Sequence, residues 1–412
     1  MRQNEEPGVM TGIALLLPIT LSTMAIVLLA PVLPGILAEF SGVPGHEYWV
    51  PMILTIPALC IALLSTFAGL LGDVFGRRRL LMASFVIYAA VGVAPVFLRG
   101  LWAILISRVG VGIAEALIMV LSTTMIGDTF QGRARDKWLA AQTAFASLSA
   151  LLFFNIGGQL GSFGWRTPFW VYLSALLMLA LVLVYTREPK SDVPHGQAAK
   201  IHAHASSAGW AGFPWARMLL ILAITVYGAI FFYTVQIQAS SGLAVLGVTN
   251  PARAGFLTSI ASIGVPLGTF AYSRIGRWPV QRLLTIEFAL LAVGFLLMGR
   301  ANTAGTFMVG CFVNQLGAGL LLPTLLVWAM SLLAYEVRGR GAGMWQSAFA
   351  LGQFLSPVIV TLAATHVGGV LNAFVVFSCG AVVGLVVLLL CASKIARMGD
   401  VDGASLLANL HG

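Results

Sequence analysis

The stretch Gly69-Leu-Leu-Gly-Asp73-Val-Phe-Gly76-Arg77-Arg78-Arg79-Leu-Leu81 joins two long apolar runs through a tight, glycine-containing turn. It places one carboxylate and three adjacent cations between segments that contain almost no charge. Arginine and lysine in short connections between apolar spans mark the cytoplasmic side of a membrane protein. The stretch therefore predicts a cytoplasmic turn between two membrane-crossing helices.

The composition of the whole chain also indicates a membrane protein. Of its 412 residues, 59% are hydrophobic and only 9% are charged, whereas about a quarter of a soluble globular chain is charged. The formal charge of +9 would indicate a nucleic-acid partner only if the cations formed a patch on a folded surface. Here they lie in short connections, so the composition excludes an ordinary soluble protein and favours the lipid bilayer as partner.

Apolar segments of spanning length, about 20 residues each, recur along the chain. Six precede the longest hydrophilic stretch and six follow it, which predicts an all-α membrane protein of about twelve transmembrane helices. We place the segments at 12–36, 49–71, 80–98, 102–127, 138–161, 168–186, 217–239, 252–273, 280–299, 304–334, 341–365 and 369–393.

The two halves resemble each other. Gln142-Thr-Ala-Phe-Ala146 in the fifth segment corresponds to Gln346-Ser-Ala-Phe-Ala350 in the eleventh, 204 positions later (346 − 142). Duplicated halves are common among secondary transporters. We therefore predict an N-terminal six-helix bundle at 1–186, a cytoplasmic linker at 187–216, and a C-terminal six-helix bundle with a short cytoplasmic tail at 217–412.

The distribution of lysine and arginine predicts the orientation. If both termini and the central linker are cytoplasmic, the opposite side receives only Arg99, Arg166, Arg253 and Arg300. The cytoplasmic side then carries Arg2, Arg77, Arg78, Arg79, Arg133, Arg135, Lys137, Arg187, Lys190, Lys200, Arg217, Arg274, Arg277, Arg282, Arg338, Arg340, Lys394 and Arg397. This asymmetry supports an even number of spans.

The opening stretch resembles the G-x-L-a-D-r-x-G-r-r-x-x-l signature of the major facilitator superfamily, with Val74 at the usual basic position and Gly72 at the usual alanine. Other features resemble the same family: Arg108-Val-Gly-Val-Gly112, Gly127-Asp128-Thr-Phe130 and Gly164-Trp165-Arg166. The resemblance covers nearly the whole chain. It implies two pseudo-symmetric six-helix bundles that rock around a central cavity, in a protein that is usually a monomer.

The resemblance also implies a cytoplasmic latch. Asp73 would face the start of the eleventh segment, where an anion suits a helix N-terminus, and Arg77 would pair with Asp128. Such a latch would hold the outward-open state and break on inward opening. The alternative is a static loop anchor. The latch candidates are Gly69, Asp73, Gly76, Arg77, Arg78 and Asp128.

Ionisable residues inside membrane spans are functional candidates because each costs roughly 2.5–3.5 kcal/mol on insertion scales. Arg108, Glu115 and Glu287 are in this position. Arg108 and Glu115 are seven residues apart, so they share a helix face at about 10 Å along the axis. We hypothesise that Glu115 carries the coupled proton and that Arg108 modulates it or meets an anionic group. A structural pairing of Glu115 is the alternative, and for Glu287 a structural role is favoured.

Uncharged polar residues within the spans are candidates for the lining of a substrate cavity, and together with neighbouring aromatic residues they favour an amphiphilic organic substrate. Each could equally make a helix–helix hydrogen bond. The candidates are Thr20, Thr23, Gln142, Asn155, Tyr227, Tyr233, Gln236, Asn314, Gln315, Gln346 and Gln353.

Segments two to five and eleven resemble bacterial efflux permeases for drugs, sugars or metabolites, which implies a secondary active transporter in the bacterial cytoplasmic (inner) membrane. Proton-coupled efflux is the first expectation, uptake by symport or facilitated diffusion is the alternative, and a receptor or channel with the same fold is a third. No enzyme signature competes, and the absence of G-x-x-x-x-G-K-[ST] argues against ATP-driven transport by this chain. No cofactor or metal is expected, since the four cysteines form no C-x-x-C.

Overall fold

The computed structural model describes residues 8–187, 213–333 and 338–390. Within these ranges the chain is almost entirely helical and contains no β-strand. The α-helices are α1 Val9–Leu16, α2 Ile19–Val27, α3 Leu33–Glu39, α4 His46–Phe75, α5 Arg77–Val93, α6 Leu101–Thr129, α7 Gly132–Gly161, α8 Ser174–Tyr185, α9 Trp215–Val245, α10 Pro251–Ser262, α11 Gly264–Ile275, α12 Val280–Gly299, α13 Ala304–Ser331, α14 Arg338–Val367 and α15 Val370–Leu390.

Twelve apolar helical spans are found among the described residues, in agreement with the twelve predicted segments. The first span, Val9–Glu39, consists of α1, α2, the 3₁₀ turn Ala30–Val32 and α3. Its breaks coincide with Pro18 and Pro31, because proline cannot donate the backbone hydrogen bond that a continuous helix requires. The all-α membrane fold is confirmed.

The chain divides into two compact units. Unit 1 contains α1–α8 and Asn250–Phe256, a stretch that includes the first residues of α10. Unit 2 contains α9, the rest of α10 and α11–α15. Residues 188–212 and 391–412 lie outside the described residues, so the cytoplasmic linker and the tail stay predictions.

Two glycine residues of unit 1 allow a tight turn and a close helix contact. Gly76 separates α4 from α5 with a φ of 87°, a conformation that side chains with a Cβ rarely adopt. Farther along, a Cβ on Gly112 of α6 would lie only 2.7 Å from the Cα of Pro57 in α4. The two helices therefore pack closely, and this contact brings the charged residues of α6 against α4.

Unit 2 is organised around α13, which packs against α9, α11 and α12. A Cβ on Gly264 of α11 would lie 2.7 Å from the carbonyl oxygen of Phe312, and one on Gly294 of α12 would lie 2.6 Å from the amide nitrogen of Asn314. Small residues at such positions let helix backbones approach each other in a membrane. The polar side chains of α13 are consequently enclosed by neighbouring helices.

Candidate functional site

Arg108 lies in the first third of α6 and its side chain is completely buried, with 0% exposure. Its Nε donates to the carbonyl oxygen of Ile53 at 2.9 Å, and its Nη2 donates to the hydroxyl of Tyr172 at 2.6 Å and to the carbonyl of Ala25 at 3.4 Å. The guanidinium carbon also lies 4.9 Å from the centre of the Tyr172 ring. Every one of these acceptors is neutral.

The positive charge of Arg108 is therefore held without an anionic partner. Among the described residues it forms no ion pair, and its Nη1 has no hydrogen-bond partner. An arginine stays protonated in proteins, and an unpaired charge is costly in an apolar interior. The arrangement gives unit 1 a fixed cation with one unused donor, which suits an interaction with a carboxylate or an anionic ligand.

Glu115 is the carboxyl nearest in sequence to this cation, two turns farther along α6, and it is 2% exposed. The Ser22 hydroxyl hydrogen-bonds to its carboxyl group, and the charge of Arg108 acts on it. Its Oε2 has no partner within the described part of the chain. Burial disfavours a charged carboxyl, whereas a nearby cation favours it. A carboxyl under these opposing influences can gain or lose a proton when its surroundings change.

Two tyrosines complete this cluster, and neither was among the predicted site residues. Tyr172 accepts the hydrogen bond from Arg108, and Tyr88 donates to the carbonyl oxygen of Leu21 at 2.9 Å. Their ring centres are 5.3 Å apart. A buried tyrosine hydroxyl usually has a polar partner, so tyrosines inside apolar spans were the signal that could have identified them.

The predicted lining residues of unit 1 make hydrogen bonds to backbone carbonyl groups. Thr23 donates to Ala146 and Gln142 to Leu15, and these bonds connect the first span to α7. The remaining two bond within their own stretch of chain: Thr20 to Leu17 and Asn155 to Leu151. Each of these four residues therefore makes a hydrogen bond within or between helices, as the alternative to a cavity lining expected.

Unit 2 contains a buried chain of three amides. Gln236 of α9 donates to Gln315 of α13 at 2.7 Å, and Gln315 donates to Asn314 at 3.3 Å. Both ends are unsatisfied: Oε1 of Gln236 and Nδ2 of Asn314 have no hydrogen-bond partner among the described residues. The structure therefore connects three predicted residues and leaves one acceptor and one donor available in the interior of unit 2.

The other predicted residues of unit 2 make different contacts. Tyr227 donates to the carbonyl oxygen of Gly380 at 2.7 Å, which links α9 to α15. The ring of Tyr233 lies 5.3 Å from that of Phe349 in α14. Farther along α14, Gln353 is buried and Gln346 is partly exposed.

Glu287 of α12 is as buried as Arg108, with 0% exposure. Its Oε1 accepts a hydrogen bond from Thr324 of α13 at 2.5 Å, and its Oε2 has no partner in the described ranges. The bond joins two adjacent helices, as expected for a structural role. Unlike the carboxyl of Glu115, which the charge of Arg108 influences, the carboxyl of Glu287 is influenced by burial and by its hydrogen bond from Thr324.

At the opening motif, Arg77 contacts two carboxylates. Its Nη2 lies 2.8 Å from Oδ1 of Asp73, and its Nη1 pairs with Asp128 at the end of α6. Arg78 donates to Thr186 and to the carbonyl oxygen of Leu183. Gly69 lies one turn before Asp73 in α4, and Gly76 forms the turn. The contact of Asp73 with the eleventh segment stays a prediction, because the side chains at 334–339 are outside the described part.

Among the described residues, twelve apolar helical spans that bury Arg108, Glu115 and Glu287 define a polytopic helical membrane protein of the solute-carrier type. Comparison with known protein families identifies the family within this class. A sequence model of the Major Facilitator Superfamily matches residues 15–357. The chain belongs to this superfamily, whose members are transporters, and it is a transporter and not an enzyme.

Individual relatives are distant. The chain is 25% identical over 410 residues to the class G tetracycline resistance protein of Vibrio anguillarum, covering 94% of this chain and 97% of the relative. It is 24% identical over 367 residues to the class C tetracycline resistance protein of Escherichia coli, covering 85% and 88% respectively. A crystal structure of a D-xylose–proton symporter has the same fold, with a TM-score of 0.78, 15% identity, and coverage of 92% and 97%.

Proposed function

We propose that this transporter exports an amphiphilic organic molecule in exchange for protons, by alternating access. Its full-length relatives in Vibrio anguillarum and Escherichia coli are tetracycline resistance proteins. A membrane carrier confers resistance most directly by moving the drug out of the cell. At about 25% identity the relatives do not define the substrate, which depends on the residues of this chain. Tetracycline is therefore one of several amphiphilic compounds to test.

The observation that supports proton coupling is the pair Arg108 and Glu115 in one helix. Arg108 keeps its charge, and Glu115 is the buried group whose charge can change. With Glu115 ionised the pair is neutral overall, and with Glu115 protonated the pair carries +1. Proton binding therefore changes the charge of the interior of unit 1. In the proposed cycle, substrate release accompanies proton uptake by Glu115, and proton release restores the substrate-binding form.

The chain offers a matched control for this role. Glu115 and Glu287 are both buried, and each has a hydroxyl bonded to its carboxyl group and an unpartnered Oε2 among the described residues. Only Glu115 lies within the influence of an arginine. In liposomes, Glu115→Gln is expected to abolish substrate-driven proton movement while Glu287→Gln retains it. Proton movement is measured with a pH-sensitive dye inside the vesicles.

Two outcomes would contradict the assignment to Glu115: unchanged coupling in Glu115→Gln, or equal loss in both variants. Expression and thermal unfolding of each variant are measured in parallel, so that loss of coupling is separated from loss of folding. In this proposal the unpartnered Oε1 of Gln236 in the amide chain of unit 2 accepts a hydrogen bond from the substrate, so Gln236→Leu is expected to weaken substrate binding. It should leave the direction of coupled proton movement unchanged.

A counterflow experiment tests whether the protein is a carrier. Vesicles preloaded with substrate should accumulate labelled substrate if the protein is a carrier, and a channel or receptor would give none. An imposed pH gradient, acidic on the side from which protons enter, should drive substrate in the opposite direction. Movement of substrate in the same direction as the protons would establish the uptake symporter, and indifference to the gradient would establish a uniporter.

We propose that the protein lies in the bacterial cytoplasmic membrane as a monomer, with both termini and the linker 187–216 cytoplasmic, between bundles 1–186 and 217–412. The excess of lysine and arginine assigned to that side supports this orientation. Arg77, with its two carboxylate partners, then acts as a cytoplasmic latch that stabilises one state of the transport cycle.

A further inference from the structure

A cavity of about 480 Å³ lies in unit 1, apart from the cluster around Arg108. It is lined by Glu39 at the end of α3, by residues 96–99 between α5 and α6, and by Arg166 just before the 3₁₀ helix Thr167–Leu173. Arg99 and Arg166 are two of the four arginines that the sequence assigns to the side with few positive charges. The positive-inside pattern therefore gives no reason for both of them to meet in one cavity.

The charges of this cavity do not cancel. Arg166 lies 3.4 Å from Oε1 of Glu39, and its guanidinium carbon is 4.1 Å from the centre of the Trp165 ring. Arg166 is thus fixed in place and largely neutralised. Arg99 is exposed and forms no hydrogen bond or ion pair with any residue that the structure describes. The three groups leave a net charge of +1, which suits one singly charged anion.

Exposed aromatic side chains lie in the cavity lining and near its lining residues in sequence. Phe97, which lines the cavity, is 71% exposed and meets the ring of Trp170 edge-on at 5.8 Å. Phe163, close in sequence to Arg166, is also largely exposed. Exposed tryptophan and phenylalanine side chains near helix ends are typical of the boundary between hydrocarbon and headgroups. At this level of a membrane protein, the abundant phosphate groups are those of lipids.

We propose that this cavity binds the phosphodiester headgroup of a membrane phospholipid, with Arg99 as the main phosphate ligand and Arg166 as a second donor. Guanidinium groups bind phosphate oxygens in a bidentate manner, and a phosphodiester carries the single negative charge that the cavity lacks. The cavity is larger than a phosphate ion requires, and the exposed ring of Phe97 in its lining offers an apolar surface for the glycerol and the start of the acyl chains.

The carboxylate of Glu39 should weaken the binding of an anionic headgroup. It lowers the positive potential that a phosphate experiences and occupies one edge of the Arg166 guanidinium. Glu39→Gln should therefore tighten the binding of an anionic headgroup, whereas Arg99→Gln should weaken it. A variant that merely misfolds would not bind more tightly, so the opposite signs distinguish a direct effect from a structural one.

The test is a titration of the purified full-length protein in detergent with phosphatidylglycerol, followed by native mass spectrometry. Arg99→Gln is expected to weaken binding of the first lipid by about fivefold, as for loss of one basic residue near a membrane surface. Glu39→Gln is expected to strengthen it. The control is Arg300→Gln, because Arg300 is an exposed arginine at the end of α12 that does not line the cavity.

Three results would overturn the proposal. Equal weakening by Arg99→Gln and Arg300→Gln would show a general charge effect, and an unchanged affinity in Arg99→Gln would place the lipid elsewhere. Inorganic phosphate is titrated in a separate arm. Displacement of phosphatidylglycerol by millimolar phosphate, with the same dependence on Arg99, would assign the cavity to a free anion. None of these readouts depends on transport, so the proposal stands or falls independently of the proposed function.

Discussion

At the scale of single residues, the decisive feature of this protein is a buried arginine whose partners are all neutral. The sequence identified Arg108 as an intramembrane charge and Glu115 as its neighbour on the same helix face. It did not identify the acceptors, since the carbonyl groups of Ile53 and Ala25 belong to other helices. Pairing with a backbone carbonyl leaves no trace in the sequence, because every residue has one.

The hydrogen bond from Arg108 to Tyr172 should be worth more than that from Tyr88 to Leu21. A bond to a charged group contributes about 1.5–3 kcal/mol, and a bond between neutral groups about 1 kcal/mol. Tyr172→Phe should therefore lower the free energy of unfolding in SDS by about 2 kcal/mol, and Tyr88→Phe by about half as much. Both changes remove one hydroxyl and keep the ring, so each serves as the control for the other.

An equal or larger effect of Tyr88→Phe would contradict this ranking. Such a result would mean that the hydroxyl of Tyr172 is not the group that stabilises the guanidinium of Arg108. The same two variants also test specificity of function, since only Tyr172→Phe is expected to alter the pH dependence of transport through its contact with Arg108.

At the scale of helices, the predicted segments and the observed ones agree in number and approximate bounds, because each span is a long apolar run. The interruptions were less predictable. The prolines of the first span lie in a continuous apolar run, so the division into α1, α2 and α3 becomes visible only in the structure. Likewise, the glycines of α11 and α12 are ordinary in sequence, and their close backbone contacts depend on which helices are neighbours.

The turn between α4 and α5 gives a prediction at this scale. Arg77→Gln removes a cation that pairs with both Asp73 and Asp128 and so connects this turn to the end of α6. These groups are partly exposed, so the loss of stability should be about 1 kcal/mol or less. We expect the apparent Tm to fall by about 1–2 °C, while the transport rate falls to a larger extent if the pairing acts as a latch.

Arg79→Gln is the matched control, because Arg79 occupies the same turn and is exposed. It should leave both the apparent Tm and the transport rate near those of the parent protein. If the two variants behaved alike, the opening motif would act through its total positive charge. If Arg77→Gln lowered the Tm without changing transport, the motif would be a static anchor.

At the scale of the whole molecule, the apolar composition and the distribution of charge are sufficient to predict an all-α membrane fold, whereas the family was predicted from the motif at Gly69–Leu81. Orientation was predicted from the same charges and is open to a direct experiment. In the proposed topology Ser162, between the fifth and sixth spans, faces the outside, and Ser273, near the end of the eighth span, faces the cytoplasm. Both side chains are exposed.

Cysteine labelling tests this topology. In a parent protein with Cys379, which is exposed, and Cys391 replaced by serine, Ser162→Cys should react with a membrane-impermeant maleimide in intact cells. Ser273→Cys should react only after the cells are permeabilised. The reverse pattern would invert the topology and assign the arginine-rich turns to the outside. It would also move the Arg99 cavity to the cytoplasmic leaflet without changing its lining.

The constant charge of Arg108 has an electrical consequence. As Glu115 gains and loses a proton, the buried net charge of unit 1 alternates between +1 and zero. A full elementary charge that crosses the whole membrane field gains or loses about 2.3 kcal/mol per 100 mV. The step in which the charged form moves within that field therefore becomes voltage-dependent, and the step with the neutral form does not. Membrane potential would thus act on the proton-loaded half of the cycle and set the rate at which that half is completed.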